Sequence, residues 1–145
     1  MKILVPIDGS LHSMAGLTVA ADYAKTKNAR ICLLSVVPRF EDVDLEISAG
    51  ERERVRERLE QRASAVVEQA RAVLEKEGVG TVTCKVVAAA PAVYDAIIDF
   101  AESERVDLII IGSRGLSPSS RIKLGSIASK VVTHSPCSVY VVKTP

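Results

Sequence analysis

Five short runs of β-branched and other apolar residues recur along the chain, each separated from the next by a segment patterned for a helix, and this strict alternation leaves few folds open. The runs are KILVPI (Lys2 to Ile7), RICLLSVV (Arg30 to Val37), TVTCKVV (Thr81 to Val87), DLIII (Asp107 to Ile111) and SVYVV (Ser138 to Val142). The first, second and fourth are almost unbroken in apolar residues, as strands buried on both faces are. From about Ser13 to Lys27, Met14, Leu17, Ala20, Ala21 and Ala24 share one helical face, with Ser10 or Ser13 available as the cap. Glu51 to Glu77 sets Val55, Leu59, Val66, Ala70, Val73 and Leu74 in a stripe among Arg and Glu residues, which reads as a solvated face and not a binding patch. Pro91 stands where the first residue of a third helix belongs, and Val93, Ile97, Ile98 and Ala101 follow as its packing stripe. Ser126 opens a fourth helix that ends near Ser135-Pro136. The order β-α-β-α-β-α-β-α-β predicts an α/β fold, an open doubly wound and mostly parallel five-stranded sheet with helices on both faces. With 145 residues and 48% hydrophobic content, residues 1–145 are expected to form one domain with a real core.

The charge balance narrows the partners. Nineteen Lys and Arg against eighteen Asp and Glu give a net charge of +1, so no global field favours nucleic acid or an anionic membrane. Aromatic residues are 3% and Trp is absent, which removes the stacking platforms that single-strand binders use. Cys32, Cys84 and Cys137 are odd in number and never spaced as CxxC; they read as small core residues in a reducing compartment. Only Lys2 precedes the apolar run ILVPI, and Asp8 interrupts it early, so no secretory leader is expected. No run has the length of a membrane helix. We expect a cytoplasmic protein.

Two connections are long: the acidic stretch from Pro38 to Gly50, and GSRGLSPSSRIKLGS from Gly112 to Ser126. In open sheets of this kind ligands bind beyond the carboxyl ends of the strands where the winding reverses. With the first strand central, that point lies between the loops IDGS and GSRG, and Asp8 stands opposite Gly112. Gly112 and Gly115 permit a tight turn and close approach of a ligand, while Gly125-Ser126 begins a helix whose first N–H groups and positive dipole end suit a phosphate. Ser126 can cap that helix, donate to an anion, or both. Arg114, Arg121 and Lys123 are within reach of a triphosphate, although cations on a long loop are commonly just solvated. Ser113, Ser117, Ser119 and Ser120 read as loop formers. The P-loop GxxxxGK[ST] is absent because Lys123 precedes Gly125, and only Gly9 follows the first strand where a Rossmann GxGxxG would lie. The SGGxDS and HxGH signatures are missing too.

The order G-x2-G-x9-G-S, met by Gly112, Gly115, Gly125 and Ser126, resembles the ATP-binding signature of the universal stress protein family. The flanks ILVPIDGS, VDLIIIGSRG and GSIASKVVTHSPCSVYVVK agree, so the resemblance covers the whole chain. It implies a strand order 3-2-1-4-5, ATP as the ligand with Mg2+ held by its phosphates, and a homodimer made by antiparallel pairing of the strand at 138–142. It implies that Asp8 and the backbone of Val36 hold the adenosine end, that Ile111, Gly112, Arg114 and Gly115 line ribose and phosphates, and that Gly125, Ser126, Ile127 and Ala128 complete the phosphate cradle. Read on its own, Asp8 is an Asx turn or a cap for the first helix, and only its position at the switch point lifts the binding reading above that one. Two departures stand out: Ala89-Ala90-Pro91 replaces the Gly-x-Pro frequent before the third helix, and Ser138 replaces a frequent proline.

His12 and His134 lie far apart, no Cys-His spacing suits zinc, and no general base stands against the motif. The expectation is an ATP-binding regulatory module of the stress response with at most slow hydrolysis. Two alternatives remain: a nucleotide-independent dimeric scaffold using the apolar edge SVYVV, and a weak ATPase or phosphotransferase.

Overall fold

Ile3, Leu4 and Val5 of the first strand are fully buried, because that strand is enclosed by neighbours on both edges and by helices on both faces. The computed structural model describes residues 1–39, 48–114 and 124–144. The elements are β1 (Lys2–Pro6), α1 (Leu11–Lys27), β2 (Arg30–Val37), α2 (Ala49–Lys76), β3 (Val82–Ala88), α3 (Val93–Ser103), β4 (Leu108–Gly112), α4 (Ser126–His134) and β5 (Ser138–Val142). They form one five-stranded sheet in the order β3-β2-β1-β4-β5, with every neighbouring pair parallel. The α/β class and the strand order are as expected. No helix among the described residues is long and apolar enough to cross a membrane.

Successive strand side chains point to opposite faces, and two cores result. On one face Leu17, Ala20 and Ala21 of α1 and Val67, Ala70 and Leu74 of α2 pack with Ile3, Val5, Ile31, Leu33 and Ile110. On the other, Ile97 and Ala101 of α3 and Ala128 and Val131 of α4 pack with Leu4, Cys32, Leu34, Ile109 and Ile111. Each fully buried Leu or Ile contributes about 2 kcal/mol from removal of apolar surface from water. The edge strands differ: β3 alternates between exposed and half-buried positions, and Tyr140 of β5 is 42% exposed.

Several expectations shift in detail. The first helix begins at Leu11, and Ser10 rather than Ser13 caps it, its Oγ accepting from Ser13 N at 3.1 Å. It closes at Asn28 in the left-handed region (φ 51°), whose N–H donates to Ala24 O. In α2, Val73 is 37% exposed, and the buried stripe is Ala63, Val67, Ala70 and Leu74. Val73 precedes Leu74 by one position, about 100° round the helix, and so falls outside that stripe. Pro91 is not helical: α3 starts at Val93 with Ala92 at the cap, and Ala92 N donates to Asp95 Oδ2 at 3.1 Å. Ser126 does not cap α4; Gly125 holds that position and Ser126 is the first helical residue.

Candidate functional site

β1 lies between β2 and β4, and the connections leaving β1 and β4 run to opposite sides of the sheet, towards β2 and β5, with α1 on one face and α4 on the other. Where they diverge, at the carboxyl ends of the strands, a cleft of about 410 Å³ opens. That volume suits a small molecule of nucleotide size.

The β1–α1 turn makes the first wall with Pro6, Ile7, Asp8 and Ser13. Asp8 Oδ1 accepts from Ser10 N at 2.8 Å, an Asx turn that aims the chain into α1. The buried Ser13 hydroxyl accepts from Asp8 N at 3.3 Å and donates to Ser10 O at 3.0 Å, which locks the turn from beneath. Gly9 between them has φ +85°, a conformation that side chains disfavour. Asp8 thus serves the turn while its exposed carboxylate stands on the cleft wall. The opposite side is apolar: Leu34, Val36 and Pro38 come from β2 and the residue after it, and Val93 and Ile97 from the start of α3.

The end of β4 supplies Ile111, Gly112 and Arg114. A Cβ on Gly112 would lie 2.5 Å from His12 O and 2.9 Å from Ser13 N, so glycine here is required by close packing of β4 against the first turn of α1. The same residue also lines the cleft, so its smallness has a packing reason in addition to the one expected from the sequence. The last wall is the start of α4: Gly125, Ser126, Ile127 and Ala128. Gly125 has no side chain with which to cap, so the N–H groups of Ser126, Ile127 and Ala128 lie at the helix end without intrahelical partners. They and the positive end of the helix dipole form a patch that attracts anions. The cleft is therefore an apolar slot with amide donors and a guanidinium at one end and a carboxylate on the β1 side.

Of the residues singled out from the sequence, Asp8, Val36, Ile111, Gly112, Arg114, Gly125, Ser126, Ile127 and Ala128 all line this cleft. Gly115, Ser117, Ser119, Ser120, Arg121 and Lys123 lie outside the described residues. Sequence reasoning missed Ser13 as a cleft residue and treated Val93 and Ile97 purely as packing. Their place was implicit in the alternation, since the start of every crossover helix lies at the carboxyl edge of the sheet. The two histidines are not brought together: His12 is hydrogen-bonded to Thr144, whereas His134 stacks on Tyr94, with ring centroids 6.4 Å apart. The cysteines are free thiols, and of the three Cys32 alone is fully buried; burial raises its pKa above the ordinary thiol value.

The family model described as the universal stress protein family matches residues 1–143. A universal stress protein of Methanocaldococcus jannaschii is 33% identical over 144 residues, spanning 99% of this chain and 82% of the relative. One of Thermus aquaticus, from the QAH/OAS sulfhydrylase 3' region, is 34% identical over 141 residues and spans 97% of each chain. Among solved structures, universal stress protein UspA from Lactobacillus plantarum superposes with a TM-score of 0.84 at 26% identity, covering 98% of this chain and 97% of that one. The fold is shared by more distant structures carrying nucleotides. These include an Arabidopsis thaliana family protein with AMP bound (TM-score 0.70, 19% identical, covering 100% of this chain and 92% of that one) and the Archaeoglobus fulgidus protein in complex with dAMP (TM-score 0.71, 20%, covering 99% and 98%).

Proposed function

The chain belongs to the universal stress protein family, and from that premise we propose that it is an ATP-binding regulatory module of the cytoplasmic stress response with at most slow hydrolysis. The observation that carries the reading is the convergence of two unlike ends on one cleft: Asp8 at the end of β1 and the uncapped amide donors at the start of α4. Adenine suits the apolar slot near Val36, where main-chain groups meet the base edge. Ribose and the first phosphates lie along Ile111, Gly112 and Arg114. The outer phosphates rest on the amides of Ser126, Ile127 and Ala128 beside Gly125, whose own N–H is taken by Ser113 O, and carry Mg2+ with them, its remaining ligands being water. The AMP and dAMP held by the distant structural neighbours support an adenine nucleotide as the ligand class. β5 is an outer strand with Tyr140 exposed, which supports a homodimer formed by antiparallel pairing of that edge.

Calorimetric titration of wild type and Ser126→Asp with ATP and with adenosine tests the cradle. A carboxylate at the first turn of α4 favours the helix dipole. At about 5 Å from a phosphate oxygen, with an effective dielectric constant of about 40, it opposes anion binding by roughly 1.7 kcal/mol. ATP affinity is expected to fall about fifteenfold while adenosine affinity is unchanged. Equal ATP binding by both proteins would defeat the assignment.

A further inference from the structure

The end of β4 is held by a closed ring of contacts that touches the cleft at Gly112. Val142, the last residue of β5, pairs with Gly112 in the sheet and accepts from Ser113 N at 2.9 Å. Two residues on, Thr144 Oγ1 is hydrogen-bonded to His12 Nδ1, across 132 positions of sequence. The main chain of His12 lies against Gly112, at a spacing that leaves no room for a methyl group, and this closes the ring through the Gly112-Ser113 peptide. The start of α4 hangs from it. Ser113 O accepts from Gly125 N at 2.6 Å, and among the described residues this is the backbone hydrogen bond that links the cap of α4 to the sheet. Ser113 is 2% exposed, so water does not compete for its bonds.

Neither His12 nor Thr144 lines the cleft. We propose that they are a positioning pair: by holding the segment after β5 against the start of α1, they set the position of Ser113, and through it of Gly125 and the amide donors of α4 relative to Asp8. The backbone from Val142 to Thr144 is short, so loss of the Thr144 tether frees Val142 O to move and loosens Ser113, whose carbonyl receives the cap of α4, while Ala128 and Val131 keep the body of the helix in the core. The affinity of the cleft for an anion then depends on a contact made outside it. The functional half of this inference rests on the nucleotide reading above; the structural half does not.

The test uses the full chain as wild type, Thr144→Val, Thr144→Ser and His12→Phe. Amide hydrogen exchange by NMR reads the ring, and ATP titration reads the site. Thr144→Val and His12→Phe each remove one hydrogen bond while leaving a side chain of similar size. They are expected to speed exchange at the Ser113 and Gly125 amides about fivefold relative to the centre of the sheet, and to weaken ATP binding by a similar factor. Thr144→Ser, which keeps the hydroxyl, is expected to match wild type in both. Wild-type exchange at both amides in Thr144→Val and in His12→Phe would overturn the inference, and so would fast exchange accompanied by unchanged ATP affinity. If wild type itself binds no ATP, the nucleotide reading fails with the functional half, and the exchange rates alone decide the structural half.

Discussion

The glycine at 112 offers a sharp test of how the site is built, because the cost of adding one methyl group there follows from the distances to its neighbours. In Gly112→Ala the new Cβ would meet His12 O at 2.5 Å, His12 C at 2.6 Å and Ser13 N at 2.9 Å. Ordinary van der Waals contact begins near 3.4 Å, so β4 and the first turn of α1 must separate by most of an ångström. Neither yields easily, since β4 is paired on both edges and α1 is anchored by Leu17, Ala20 and Ala21 in the core. Overpacking of this kind costs about 3 kcal/mol, which for a chain of this length lowers Tm by about 10 °C. Gly16→Ala is the matched control within the same helix. Its Cβ would lie 3.4 Å from Ile110 Cγ2 and 3.9 Å from Val5 Cγ1, an acceptable contact, while exchanging Gly for Ala in a helix interior gains up to about 1 kcal/mol. Thermal unfolding followed by circular dichroism should therefore move in opposite directions for the two variants. A Gly112→Ala protein melting within about 2 °C of wild type would refute the packing argument, since the same distances would then carry no cost.

Two further outcomes follow from ionisable groups. Lys2 Nζ lies 2.7 Å from Glu104 Oε2, and the hydrogen bond and charge of Lys2 hold the Glu104 carboxyl below its ordinary value. A depressed carboxylate contributes stability above the unfolded pKa and loses it as pH falls through the folded one. Glu104→Gln should therefore unfold at slightly lower urea than wild type near neutral pH, and the gap should close in strong acid; a gap that widens on acidification would contradict the pairing. Cys32 is 3% exposed with its pKa raised by burial, whereas Cys84 and Cys137 are half-buried. Limited alkylation read by mass spectrometry should modify Cys84 and Cys137 first and Cys32 only as fast as the protein unfolds. Comparable rates at all three would show that the β2 core opens readily.

The alternation of strand and helix was legible because each element carries its own local pattern. Ile3–Val5, Ile31–Leu34 and Leu108–Ile111 are continuous apolar runs and prove to be the three central strands. Less legible were features set by partners remote in sequence. The reason for glycine at 112 lies a hundred residues away in the backbone of His12, and no local pattern marks it. Pro91 suggested a helix start by its own preference. The actual cap is Ala92, whose side chain carries no capping signal, and only Asp95 three residues later hinted at the boundary. Val73 and Leu74 are adjacent and equally apolar, so burial of Leu74 alone was decided by where α2 rests on the sheet. The candidate cleft was reachable from sequence because strand order dictates where crossovers diverge, and Asp8 and Gly125 meet there as a consequence of topology. Its apolar wall from α3 was not, because Val93 and Ile97 look the same whether they face core or cleft.

The most direct measurement is an amide chemical-shift titration of the unmodified protein with ATP. Saturable shifts are expected at Asp8, Val36 and Gly112 and, largest of all, at Ser126, Ile127 and Ala128. Saturation with no change at the start of α4, or shifts gathered instead around Gly78 to Thr81 at the other end of the sheet, would contradict the account.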